Sequence, residues 1–162
     1  MELFFLFLKT ALKLVTGCLS CVVIHELGHL TGGFLSGYIF SSLELFGLKL
    51  TAGNGKLTLK FSSIPCLGQC IMYPKKRYAD ASLLILGGVI ANFMTAALFF
   101  IFSEPVYALI DLTAAIMNIS CFSVTSDGST FADAKKSSMH METYNRLMLV
   151  YRCINEGCDW RD

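Results

Sequence analysis

Charge is what this 162-residue sequence has least of. Only 15% of its residues are Asp, Glu, Lys or Arg, against 54% hydrophobic, where soluble domains carry roughly 25% charged residues. With a mean hydropathy of +0.59, the chain is too poor in charge to clothe a water-soluble core and is expected to sit in a membrane. There is no surplus of one sign either: the formal net charge is +1, which speaks against a nucleic-acid surface. No disulfide framework is expected, because seven cysteines is an odd number without the setting of a small secreted scaffold. Cys18 and Cys21 lie one helical turn apart, but no two further ligands stand near them to complete a zinc site, so buried, reduced thiols are expected. A secretory leader is not expected. Leu14–Cys18 (LVTGC) imitates a lipoprotein cleavage box, yet a basic n-region is missing and Lys9 and Lys13 interrupt the apolar stretch before it.

What the chain does have is long apolar runs. A bilayer crossing takes about 20 residues, and the stretches 14–35, 83–102 and 106–125 fit, the last carrying Asp111 and Asn118. Leu3–Leu8 forms an apolar lead-in, either interfacial or an extension of the first helix. Between the first two spans, residues 38–64 alternate apolar and polar around Gly53-Asn54-Gly55, the pattern of a β-hairpin. Its apolar face would hold Leu45, Leu48, Leu50, Leu57, Leu59 and Phe61. In the tail, Met141, Tyr144, Leu147, Met148, Tyr151 and Ile154 recur at helical spacing, predicting an amphipathic helix over 131–155 that lies on the membrane or caps the bundle. The expected fold is therefore mainly α and integral to the membrane, a single unit over 1–162. It has three transmembrane helices, a membrane-associated β-hairpin and an amphipathic C-terminal helix. Lys49, Lys56, Lys60, Lys75, Lys76 and Arg77 in the hairpin loop, with five further basic residues in the tail, place hairpin and tail in the cytoplasm. Lys9 and Lys13 weigh the other way but are outnumbered.

Within the first span stands His25-Glu26-Leu27-Gly28-His29. Ionisable groups are costly in such a run, so an accidental trio is a poor explanation. On a helix, residues four apart share a face, and two imidazoles so placed can converge on one metal ion. Zinc lowers the pKa of a held water to about 7, and a neighbouring carboxylate, here Glu26, can take its proton. Zinc needs a third protein ligand. Asp127, at the cytoplasmic end of the third span beside Gly128, matches the histidines in depth; His140 competes but lies in a polar-faced tail. In the second span Gly87, Gly88 and Ala91 permit close helix packing. Asn92 beside them either holds an extended substrate backbone, steadies an oxyanion, or makes an interhelical hydrogen bond.

Taken together, HELGH at 25–29, GGVIAN at 87–92 and the Asp127-Gly128 pair resemble the site-2 protease family of intramembrane zinc metallopeptidases. The likeness covers about Val22 to Gly128 and is nearest to small bacterial members, where a stretch such as Gly68-Gln69-Cys70 precedes the second span. The family's third span often reads Asn-x-x-Pro; here Asn118 is followed by Cys121, and Ser126 precedes Asp127. The short tail suggests a minimal member or a truncated chain. The resemblance implies that His25, His29 and Asp127 bind Zn2+, that Glu26 is the general base, and that Asn92 assists substrate binding or the transition state. It also implies membrane protein or peptide substrates, cleaved in or near their transmembrane segments at the bacterial cytoplasmic membrane. The hairpin edge would receive an unwound substrate segment as an added strand. The alternative is a non-catalytic membrane protein of the same fold that binds zinc or a partner. Retention of Glu26 argues against it, because a structural metal site has no use for that carboxylate. A metal-handling membrane protein would carry more ligands along its spans.

Overall fold

The computed structural model describes residues 1–53, 55–76, 79–120 and 126–156. The chain order is α1 (Glu2–Leu35), β1 (Tyr38–Leu45), β2 (Leu48–Gly53), β3 (Lys56–Phe61), β4 (Gly68–Pro74), α2 (Ser82–Ile101), α3 (Pro105–Ile119), α4 (Asp127–Lys135) and α5 (Ser138–Glu156).

Two of these helices, α1 and α2, are long and apolar enough to cross a membrane. Leu3–Leu8 extends α1 to 34 residues, about 50 Å at the helical rise. It ends where Gly37, at φ 77°, takes the left-handed conformation that closes many helices. Helix α2 falls where its apolar run predicts. Helix α3 is shorter than expected: it begins at Pro105, which suits a first helical turn, and stops after 15 residues because Ser120 is extended. The predicted remainder of that span, 121–125, lies outside the described residues.

Packing among α1, α2 and α3 is inverted relative to a water-soluble bundle. Most buried positions are small or polar: Gly17, Cys21, Glu26, Gly32 and Gly33 of α1, Gly87, Gly88, Asn92 and Ala96 of α2, Ala108, Asp111 and Ala115 of α3, the exceptions being Leu84, Ile85 and Val89 of α2. Large apolar side chains such as Phe93, Met94, Phe100, Leu109 and Ile116 point outward. Helices that face lipid pack through small residues in this way. A Cβ at Gly28 would collide with the Gly87 carbonyl, and one at Gly87 with the Gly28 carbonyl, so the two backbones touch within the His25–His29 turn.

The expected hairpin is part of a larger antiparallel sheet in the order β3-β2-β1-β4. The Gly53–Gly55 turn joins β2 to β3 as predicted, with Gly53 opposite Lys56. The run before it divides into two strands, because Phe46 and Gly47 both adopt positive φ, at 53° and 82°. They form the two-residue connection that matches strand twist. Strand β4, unforeseen, pairs with β1 from Tyr38–Pro74 to Leu45–Gly68. Of the predicted apolar face, Leu48, Leu57, Leu59 and Phe61 are exposed.

The predicted tail helix is two helices, because Ser137 interrupts it. The Ser137 side chain accepts the His140 backbone N–H at 3.3 Å, a cap that starts α5 afresh. Tyr38, Met72, Leu84, Ile85 and Ala134 form a core joining the sheet, the start of α2 and α4, with Leu30 and Tyr144 packed against it. Tyr38 donates to Asn145 Oδ1 at 2.6 Å and fastens α5 to β1.

Candidate metal centre

Histidines 25 and 29 stand one turn apart on α1, with their ring planes nearly perpendicular at 88°. Their Nε2 atoms lie 3.1 Å apart. Asp127, the first residue of α4, brings Oδ2 to 3.1 Å from His25 Nε2 and 3.6 Å from His29 Nε2. What places Asp127 there is local. Ser126 caps α4, its hydroxyl oxygen accepting the Ser129 N–H at 3.2 Å and its hydroxyl donating to the Ser120 carbonyl at the end of α3. Gly128 is needed for closeness rather than for the turn itself: its φ is not positive, but a Cβ there would collide with the Ile119 carbonyl at the end of α3. Gly88 serves the same purpose for the rings, since a Cβ would stand 2.6 Å from His25 Cε1 and 2.7 Å from both Nε2 atoms.

The group formed by His25, His29 and Asp127 could hold a metal ion. The donor set can be tested against zinc by its chemistry. Bonds of about 2.0–2.1 Å at tetrahedral angles separate ligand atoms by about 3.3 Å; the three separations here are 3.1, 3.1 and 3.6 Å. His29 Nδ1 lies 2.7 Å from the Leu84 carbonyl oxygen, a contact that requires the proton on Nδ1 and leaves the Nε2 lone pair facing the centre. That is how a ligating histidine is usually fixed. Asp127 Oδ2 is buried and has no hydrogen-bond donor unless His25 Nε2 carries a proton. A buried carboxylate oxygen facing two imidazole nitrogens is costly as it stands, and a cation at their centre removes the cost. The residues fit.

Glu26 is 7% exposed and occupies the same cavity, about 490 Å3, with His25, His29 and Asp127. The Cys70 backbone N–H donates to its carboxylate, and Gly68 leaves it room, for a Cβ there would collide with the carboxylate. So β4, the strand the sequence did not reveal, is what holds Glu26. Burial beside Glu26 pushes the Cys70 thiol up to about 12, so it stays a neutral thiol. The five described cysteines are free, but of these only Cys21 is buried as expected and Cys18 is exposed; Cys121 and Cys158 lie outside the described residues.

Asn92 is fully buried and displays the interhelical hydrogen bond. Its Nδ2 lies 3.2 Å from His25 Nδ1 and 3.6 Å from Cys21 Sγ. His140 does not line this cavity; it is exposed and bonded to Ser137. Two residues not singled out for the site, Tyr144 of α5 and Thr130 of α4, also line the cavity. Tyr144 had shown itself in the sequence only as part of a helical apolar stripe. Fold and site together define a mainly helical protein with a small antiparallel sheet and a half-buried His-His-Asp group at the junction. The chain matches no family model, no curated protein and no solved structure.

Proposed function

We propose that this protein is an intramembrane zinc metallopeptidase of the site-2 protease kind, hydrolysing peptide bonds in or near transmembrane segments of membrane protein or peptide substrates. The observation that carries the reading is the meeting of three ligand atoms from α1 and α4 at zinc-like separations, with the buried Glu26 carboxylate in the same cavity. A zinc ion held by His25, His29 and Asp127 would acidify water and polarise a carbonyl. Glu26 accepts the proton of the attacking water and passes it to the leaving amide nitrogen. The Cys70 N–H and the space above Gly68 keep its carboxylate in place for both transfers. The sheet beside Glu26 is where an unwound substrate strand would lie.

Two apolar helices and the outward-facing large side chains support a bilayer as the surroundings. In this reading the sheet and tail face the cytoplasm, where their lysines and arginines belong. Lys13 of α1 pairs with Glu104 in the α2–α3 connection, which puts both at the opposite end of the bundle.

The test is zinc content of the detergent-purified chain, compared with Asp127→Ala and Glu26→Ala. Stoichiometric zinc in the wild type and in Glu26→Ala, but not in Asp127→Ala, is the expected result. Zinc absent from folded wild type, or indifferent to Asp127, would leave a non-catalytic membrane protein of the same fold as the better account.

A further inference from the structure

The two histidines differ in what lies behind them. For a histidine to ligate through Nε2, its proton must sit on Nδ1, and a buried Nδ1–H needs an acceptor. His29 has one in the Leu84 carbonyl at 2.7 Å. His25 Nδ1 instead faces the Asn92 amide at 3.2 Å. With Nδ2 turned inward, Asn92 donates to the ring and the proton is driven to Nε2, toward Asp127 Oδ2 at 3.1 Å. Asn92 Oδ1, meanwhile, is buried without a partner. The two ends of a primary amide are nearly the same size, and a half-turn exchanges them. That half-turn gives Oδ1 the His25 Nδ1–H and frees the Nε2 lone pair for the centre.

We propose that Asn92 is a positioning residue for the metal centre, its Oδ1 accepting the Nδ1–H of His25 so that Nε2 is the ligating nitrogen. The proposal rests on the metal-site reading above and assigns Asn92 no contact with substrate. Asn92 is suited to the task by how firmly it is placed. It is 0% exposed, on α2 between α1 and α3, with Cys21 beside it and Asp111 and Thr95 beyond. The Cys21 thiol donates to Asp111, and Thr95 Oγ1 donates to Asp111 Oδ2 at 2.6 Å. This run of polar groups through an apolar bundle would be expensive if it served packing alone. It links the third helix to the back of a metal ligand.

The experiment is a Co2+ titration of the full chain in detergent, read by the visible absorption of the bound ion. The metal-free melting temperature of every variant is measured alongside. Asn92→Ala removes the acceptor, and Asn92→Leu does so at nearly constant size should the alanine variant fail to fold. Asn92→Asp keeps an oxygen at the same position. The expected result is a loss of affinity of about 10- to 100-fold with a shifted absorption band in Ala or Leu, and affinity near wild type in Asp. Wild-type affinity in Asn92→Leu overturns the proposal. So does an Asn92→Asp variant that folds yet binds as weakly as Ala, because the amide would then act through packing. Asp127→Ala in the same series separates the two levels. If wild type takes up no cobalt, or Asp127→Ala binds equally well, the metal reading fails and this one falls with it. If Asp127→Ala alone loses the ion, only the role of Asn92 is refuted.

Discussion

Gly88→Ala is the most exacting perturbation this arrangement suggests, because it adds one methyl group at the point where the two imidazoles meet. The new carbon would lie 2.6 Å from His25 Cε1 and 2.7 Å from each Nε2, whereas ordinary contact begins at 3.4 Å. The rings must therefore retreat by about 0.8 Å, some four times the ±0.2 Å that a zinc–ligand distance tolerates. The helix itself gains: alanine is favoured over glycine in a helix interior by about 1 kcal/mol. That offsets part of the roughly 1–3 kcal/mol that overpacking costs. The expected outcome is a folded protein, melting within a few degrees of wild type without metal, whose zinc affinity has fallen at least about 100-fold, the upper end of what misplaced ligand support costs. Competition against a fluorescent zinc chelator, beside a melting curve in chelator, reads both quantities. Gly87→Ala is the control: its methyl meets the Gly28 carbonyl, so it should lower the metal-free melting temperature instead. Wild-type zinc affinity in a folded Gly88→Ala protein would refute the placement of the two rings.

Further outcomes are expected from other parts of the molecule. Glu26→Gln should keep zinc and lose hydrolysis by about 100- to 10,000-fold, measured on a model transmembrane substrate in detergent; residual wild-type turnover would remove Glu26 as the base. Hydrogen bonds from the Ser82 hydroxyl and backbone N–H, with Lys135 nearby, hold the Asp80 carboxyl below the usual carboxylate range. Its stabilisation is therefore complete above the unfolded value of about 3.9 and disappears as pH falls through the lower folded value. Asp80→Ala should lower the melting temperature only slightly at neutral pH, because the carboxylate is largely exposed, and the difference from wild type should vanish as the solution is acidified. Tyr38→Phe should cost about 1 kcal/mol by removing the bond to Asn145, and limited proteolysis should then cut α5 from the sheet sooner than in wild type.

How far the molecule could be read from its residues depended on whether the signal was local. The pair His25/His29, the α2 run and the turn at Gly53–Gly55 announce themselves within a few positions, and each stands where its spacing placed it. Asp127 was reached by matching depths across the bilayer, a coarse argument that needed only the order of the spans. The turn at Phe46–Gly47 was unreadable because a phenylalanine at φ 53° is not a turn signal. Only the sheet on both sides holds it there. Strand β4 was missed because its partner β1 lies a hairpin away, and nothing in Gly68–Pro74 alternates. The Cys21–Asp111–Thr95 contacts left one trace, Asp111 inside the third apolar run, but nothing in the sequence showed which groups on the other helices it meets.

The division of the ligands between α1 and α4 also sets an order in time. At 5–20 residues added per second, the codon for Asp127 is translated on the order of 10 s after that for His29. During that interval the nascent chain presents two imidazoles and a carboxylate with nothing to close the set. If the proposed hydrolytic function holds, such a centre would stay inert while the first helix is being inserted. It would become competent only when the last helices had folded back onto the first.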